Sequence, residues 1–148
     1  MRTKTYKHFA SLLVASVFAV VAIGSIETDE DTRKVQSQAA TYKMTANEII
    51  KAYSENEVKA DLKYDEKVVE LTGRVEDIGK DIADKTYILL GKFTSADFLP
   101  RSVQCYFTDG EVRSVAGLSN GDVVTVKGRI DGLMLNVQMK TCKILPSK

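Results

Sequence analysis

The chain has no tryptophan, only two cysteines and two prolines, and a single histidine in 148 residues. That histidine, His8, falls in an N-terminal segment built like an export signal, so the mature chain has none. Without histidine a protein cannot run Ser-His-Asp or Cys-His nucleophilic chemistry, and it lacks the commonest transition-metal ligand. There is also no glycine-rich phosphate loop and no calcium loop of the Asp-x-Asp-x-Asp-Gly kind, and the acidic groups Asp61, Asp65, Glu66 and Glu76, Asp77, Asp81 do not supply one. A cofactor-free, non-catalytic chain is the expectation. A strong charge of either sign is missing too. The whole chain counts 21 basic against 20 acidic residues, and residues 1–24 hold three of the basic and none of the acidic ones, which leaves 18 against 20. From Lys67 onward the balance is 12 to 10. Proteins whose affinity comes from phosphate contacts are far more basic, so general nucleic-acid binding is disfavoured.

At the N-terminus, Arg2, Lys4 and Lys7 precede an apolar run from Phe9 to Ile23, broken only by Ser11 and Ser16. Ala22-Ile23-Gly24 offers small residues at the third and first positions before a cut ahead of Ser25. The alternative is an uncleaved anchor over residues 9–23. Fifteen helical residues reach roughly 22 Å, short of the roughly 30 Å of bilayer hydrocarbon, which favours cleavage. No cysteine follows the run to carry a lipid. Both readings export the rest of the chain to a periplasmic or extracellular space. There the default for a lone pair such as Cys105 and Cys142 is a disulfide, worth roughly 3 to 4 kcal/mol in the chain-entropy picture; the alternative is two buried thiols that pack as small hydrophobes. Residues 25–43, with Glu27, Asp29, Glu30 and Asp31 and almost no large apolar side chain, read as a solvated linker. The folded domain is placed at 44–148.

Its dominant pattern is a repeat. Val68-Val69-Glu70-Leu71-Thr72-Gly73-Arg74-Val75-Glu76 and Val123-Val124-Thr125-Val126-Lys127-Gly128-Arg129-Ile130-Asp131 are the same kind of strand, alternating apolar and polar with a glycine on the apolar face. A glycine there lets a strand bend or admit another backbone, as at the corner of a small barrel. Ahead of the first copy, Thr45-Ala46-Asn47-Glu48 spells a capping box, with Ile49, Ile50, Tyr53 and Val58 as the apolar stripe of a helix that caps one barrel end. Strands are predicted over 67–78, 86–92, 102–108, 122–131 and 134–144. A long loop at 91–101 carries Phe93, Phe98 and Pro100, Asp131-Gly132 makes the last hairpin, and a short helix lies within 109–118. Three strands, a helix and two strands is the order of the five-stranded OB-fold Greek-key barrel. The fifth strand is predicted to slip phase near Lys140-Thr141, so that Cys142 joins Val103, Cys105 and Phe107 inside.

The segments Asn56-Glu57-Val58-Lys59-Ala60-Asp61-Leu62-Lys63-Tyr64, Val103-Gln104-Cys105-Tyr106-Phe107, Gly121-Asp122-Val123-Val124-Thr125-Val126-Lys127-Gly128 and Cys142-Lys143-Ile144-Leu145, in this order, resemble the tRNA-anti-like group of exported OB-fold proteins. The resemblance spans nearly all of 45–145. It implies the OB fold, carries both cysteines over as paired positions, and brings no characterised activity. Many members look like lipoproteins, a feature this chain does not share.

OB barrels bind across their second and third strands. That face here carries Tyr87, Leu89, Gln104, Tyr106 and Thr108, with Lys92, Arg101, Lys80 and Lys85 around it. Aromatic rings beside cations suit a ligand; ordinary cross-strand tyrosine neighbours are the plainer reading. The outward row Arg74, Lys127, Arg129 and Lys140 is interspersed with Glu70, Glu76 and Asp131 and reads as a mixed solvated surface. The expected function is an exported binding module for a protein, peptide or glycan partner of the cell envelope. The alternative is a single-stranded oligonucleotide barrel with Tyr87 and Tyr106 as stacking platforms. Membrane contact is expected only through the N-terminal segment.

Overall fold

The two copies of the repeat lie side by side. In the computed structural model, which describes residues 29–94 and 100–146, Leu71 pairs with Val126 in an antiparallel ladder that runs from Val68–Arg129 to Arg74–Val123. The elements in chain order are α1 (Asp29–Ser37), β1 (Tyr42–Thr45), α2 (Ala46–Glu55), α3 (Glu57–Tyr64), β2 (Val68–Lys80), β3 (Thr86–Thr94), β4 (Pro100–Phe107), α4 (Val112–Ala116, after a single 3-10 turn), β5 (Val123–Leu133) and β6 (Val137–Leu145). The sheet runs β2-β3-β4-β6-β5 and closes on itself through β2–β5, with β4 and β6 parallel. This is a closed five-stranded OB barrel, mainly β with a helix between its third and fourth strands, as the element order predicts.

The inward row is apolar throughout. Val69, Leu71, Val75, Ile88, Leu90, Val103, Cys105, Val126, Ile130, Val137, Met139 and Cys142 are fully buried, and α2 closes one end of the barrel with Ile49, Ile50 and Tyr53. Both strand glycines are required by what lies over them. A Cβ at Gly73 would stand 2.9 Å from the Ala46 Cβ of α2, and one at Gly128 would stand 2.8 Å from the Lys140 carbonyl. The second contact marks the predicted slip. Across β5, Arg129 pairs with Lys140 but Lys127 pairs with Lys143, so β6 carries an extra residue there. Thr141 takes it up at φ +52, an uncommon conformation for a β-branched side chain, and Cys142 turns into the core as expected.

Four expectations need correction. Residues 25–43 do not read as linker in the described part: Asp29–Ser37 is helix α1, docked on the bulge by Gln36, which donates to the Thr141 carbonyl at 2.6 Å and accepts from Lys127 Nζ at 2.7 Å. Acidic residues in its first turn and Lys34 in its last suit the helix dipole, and one buried residue, Val35, is too little apolar signal to betray it. Strand β1, parallel to the start of β2, is also unexpected. The single predicted helix is two. The capping box at Thr45 and Glu48 forms, but the helix stops at Asn56, whose side chain caps α3 by accepting from the Lys59 N–H. The break resets the helical phase, so Val58 points to solvent instead of extending the stripe. Finally, Gly132 at φ +72 sits at a register shift inside β5, and the hairpin turns at Met134–Asn136.

The long loop expected at 91–101 is mostly strand, since β3 runs on to Thr94 and β4 begins at Pro100; Phe98 lies outside the described residues, as does the whole of 1–24. No described helix is long and apolar enough to cross a membrane.

Candidate binding face and the cleft beside it

Alternation along β3 and β4 turns Ile88, Leu90, Val103, Cys105 and Phe107 inward, which leaves Tyr87, Leu89, Gln104 and Tyr106 half-buried on the outer side. The register sets Tyr87 against Tyr106 and Leu89 against Gln104. The two tyrosine rings meet edge to face at 6.1 Å. Tyr87 leans over its β2 neighbour Gly79, where a Cβ would lie 2.9 Å from the phenol oxygen; the glycine therefore allows the ring to lie against the sheet. Gln138 of β6 continues the row and donates to Gln104 at 3.4 Å. Burial, and behind it the Asp81 carboxylate and Tyr87, push the Tyr106 phenol above its ordinary pKa, so its hydroxyl stays a hydrogen-bond donor throughout the physiological range.

Two loops bracket this face. The β2–β3 turn is pinned by Asp81, which accepts from the Ala83 and Lys85 N–H groups, and by the Lys80–Asp84 ion pair at 2.9 Å. With its polar groups so engaged, the turn holds Ile82 wholly in solvent. At the other end of β4, Asn136 of the β5–β6 hairpin accepts from the Ser102 N–H, and the tip shows Met134 at 78% and Leu135 at 82% exposure. Three large apolar side chains thus stand out of the protein on the two loops that flank the tyrosines.

Of the residues predicted for this face, Tyr87, Gln104 and Tyr106 share it and Arg101 sits half-buried at its hairpin end. Lys92 does not join them. After Leu90 the chain turns through Gly91 at φ +69, and the Lys92 N–H is caught by the side chain of Asn47, so Lys92 lines a separate cleft beside α2. Sequence reasoning missed Gly79, Gln138 and the apolar tips. The spacing of Gly79 from Tyr87 carries no local signal, whereas Leu133-Met134-Leu135 is an apolar run where turn residues belong, and could have been noticed. The outward row Arg74, Lys127, Arg129 and Lys140 is engaged as a mixed surface: Arg129 with Glu66, Lys140 with Asp131, Lys127 with Gln36 and Arg74 with the Gly121 carbonyl.

Cys105 and Cys142 are both buried thiols in this structure. They are not direct cross-strand partners: Cys105 stands opposite Met139 and Cys142 opposite Phe107. The Met139 sulfur lies 3.9 Å from Cys105 Sγ, and Cys142 Sγ packs with the Met139 methyl over Gly128.

A model of the tRNA_anti-like family matches residues 1–143. The chain belongs to this family. None of the curated proteins matches the sequence. Among solved structures, the chain is similar to a Klebsiella pneumoniae lipoprotein whose name describes it as nucleic acid-binding, at 20% identity and TM-score 0.55, over 80% of this chain and 98% of the other. An OBody bound to hen egg-white lysozyme aligns over 57% of this chain and 86% of its own length at 18% identity and TM-score 0.39. At such identities the Klebsiella likeness concerns the fold of this tRNA_anti-like protein.

Proposed function

We propose that the protein is an exported, non-catalytic binding module that recognises a protein, peptide or glycan partner in the cell envelope through the outer face of β3 and β4. The observation that supports it best is the bracketing of the Tyr87–Tyr106 pair by Ile82 on one loop and by Met134 and Leu135 on the other. Covering these apolar tips with a partner would remove them from water at a gain in free energy, and aromatic rings with a polar end suit protein and sugar recognition. A polyanion would meet Asp81 beside Tyr106, with Lys80 already paired to Asp84. Crosslinking in the native envelope through a photoreactive group at residue 82 or 135 tests the reading. A reproducible neighbour that disappears when Tyr106 is changed to Ala supports it, and indifference to Tyr106 refutes it.

A second reading, an oligonucleotide barrel, draws on the paired tyrosines and the Gln104–Gln138 amides, which are able to stack and hydrogen-bond bases. The naming of the Klebsiella neighbour points the same way. Titration with fluorescent single strands at low and moderate salt decides: tight, salt-sensitive binding that Tyr106→Ala weakens by about 1 to 3 kcal/mol establishes it. In the oxidising envelope Cys105 and Cys142 form a disulfide on this proposal, with Met139 moving aside. A count of reactive thiols in denatured protein from the envelope tests that, and two reactive thiols reject it.

A further inference from the structure

The long strand β2 shares one edge between two partners. Its residues 69–72 pair with β1 and its residues 75–80 with β3. At Gly73 and Arg74 neither partner is present on that edge, and the fork opens a cleft of about 400 Å³ lined by Thr45, Asn47, Thr72, Gly73, Arg74, Glu76, Gly91, Lys92 and Val123. The charges inside it are treated differently from those on the rest of the sheet. Elsewhere Lys43 pairs with Glu70, Lys80 with Asp84, Arg129 with Glu66, Lys140 with Asp131 and Lys143 with Glu111. In the cleft no described residue forms an ion pair with Lys92, Arg74 or Glu76, and Arg74 uses one N–H on the Gly121 carbonyl. The start of α2 adds little attraction of its own, because its capping box turns the Glu48 carboxylate back onto Thr45.

We infer that this cleft is a binding site for a small ligand bearing a carboxylate or phosphate, whose anionic group sits between Arg74 and Lys92. Glu48 is turned away onto Thr45, so the cations without an ionic partner among the described residues set the preference, and the planar guanidinium favours an oxyanion that it can meet with two N–H groups. The hydroxyl of Thr45, the Asn47 amide and the exposed Val123 side chain offer the remaining walls to an uncharged body. The cleft is separate from the tyrosine face and does not depend on what that face binds.

The experiment is a thermal melt of the full-length protein in detergent, titrated with inorganic phosphate and, separately, with glutarate. A saturable rise of the midpoint with either probe is expected, since a ligand that binds only the folded state stabilises it by mass action; which probe acts tells phosphate from carboxylate. Arg74→Gln combined with Lys92→Gln should weaken the dissociation constant taken from that rise about tenfold or more, and Glu76→Gln should tighten it. Arg113→Gln, on the exposed side of α4, serves as the charge control and should leave it unchanged. The readout is the ligand-induced shift of each variant against its own unliganded midpoint, so lost stability does not imitate lost binding. The inference is overturned if neither probe gives a saturable shift, if the double variant keeps it, or if Arg113→Gln abolishes it equally.

Discussion

The seam where the barrel closes and the face that β3 and β4 turn outward are built by opposite rules. Along the seam, Leu71 meets Val126 at zero exposure, Gly128 admits the bulge of β6, and Gln36 and Thr141 satisfy the distorted backbone there. On the outer face, the tyrosines are half covered, the bracketing loops display Ile82, Met134 and Leu135, and in the neighbouring cleft Lys92 and Glu76 have no ionic partner among the described residues. The first region spends its side chains on stability, and the second holds them in reserve. The contrast teaches where to look for function in this barrel: at the groups that folding did not use.

Substitutions can break this contrast in order of size. Leu71→Ala should empty the middle of the seam and lower unfolding free energy by about 3 kcal/mol, read from urea denaturation. Gly128→Ala adds only a methyl group but drives it against the Lys140 carbonyl and Cys142 Sγ, so a loss of about 2 kcal/mol is expected by the same measurement. A neutral effect there would show that the bulge is not rigid.

Thr45→Ala should cost about 1 kcal/mol by removing the helix cap. The backbone N–H and hydroxyl of Thr45 hold the Glu48 carboxyl below its ordinary value of 4.5. A carboxyl with a lowered folded pKa stabilises the fold at pH above its unfolded value and loses that contribution as pH falls through the folded one. Wild type should therefore lose the contribution only below about pH 4.5, and Thr45→Ala should show a flatter acid limb. Smallest of all, Ile82→Ser should change stability by less than about 0.5 kcal/mol while reducing capture of the envelope partner. A large stability loss would move Ile82 from the reserve to the scaffold.

Some of this was legible in the residues and some was not, for identifiable reasons. The glycine-centred repeat announces two neighbouring strands because alternation is a local property and both copies obey it. The slip near Lys140-Thr141 can be foreseen because Val137, Met139 and Cys142 cannot all face inward without an extra residue. Helix α1 could not, since its place depends on Gln36 finding Thr141, 105 positions away. Asn56 hid a cap inside what looks like one continuous stripe, and Gly132 imitated a hairpin turn while serving a bulge. Tyr87, Gln104 and Tyr106 were found by parity on adjacent strands; Lys92 was misplaced because an extra residue in β3 at Gly91 shifts the alternation just before it.

By itself the sequence determined the barrel and its strand order, because these follow from side-chain period, which does not depend on distant contacts. Tertiary structure alone decided that β2 forks between β1 and β3, that three cleft charges have no ionic partner among the described residues, and that the apolar tips flank one face. Those facts arise from which strands meet and where they part, and no local stretch of chain contains that information.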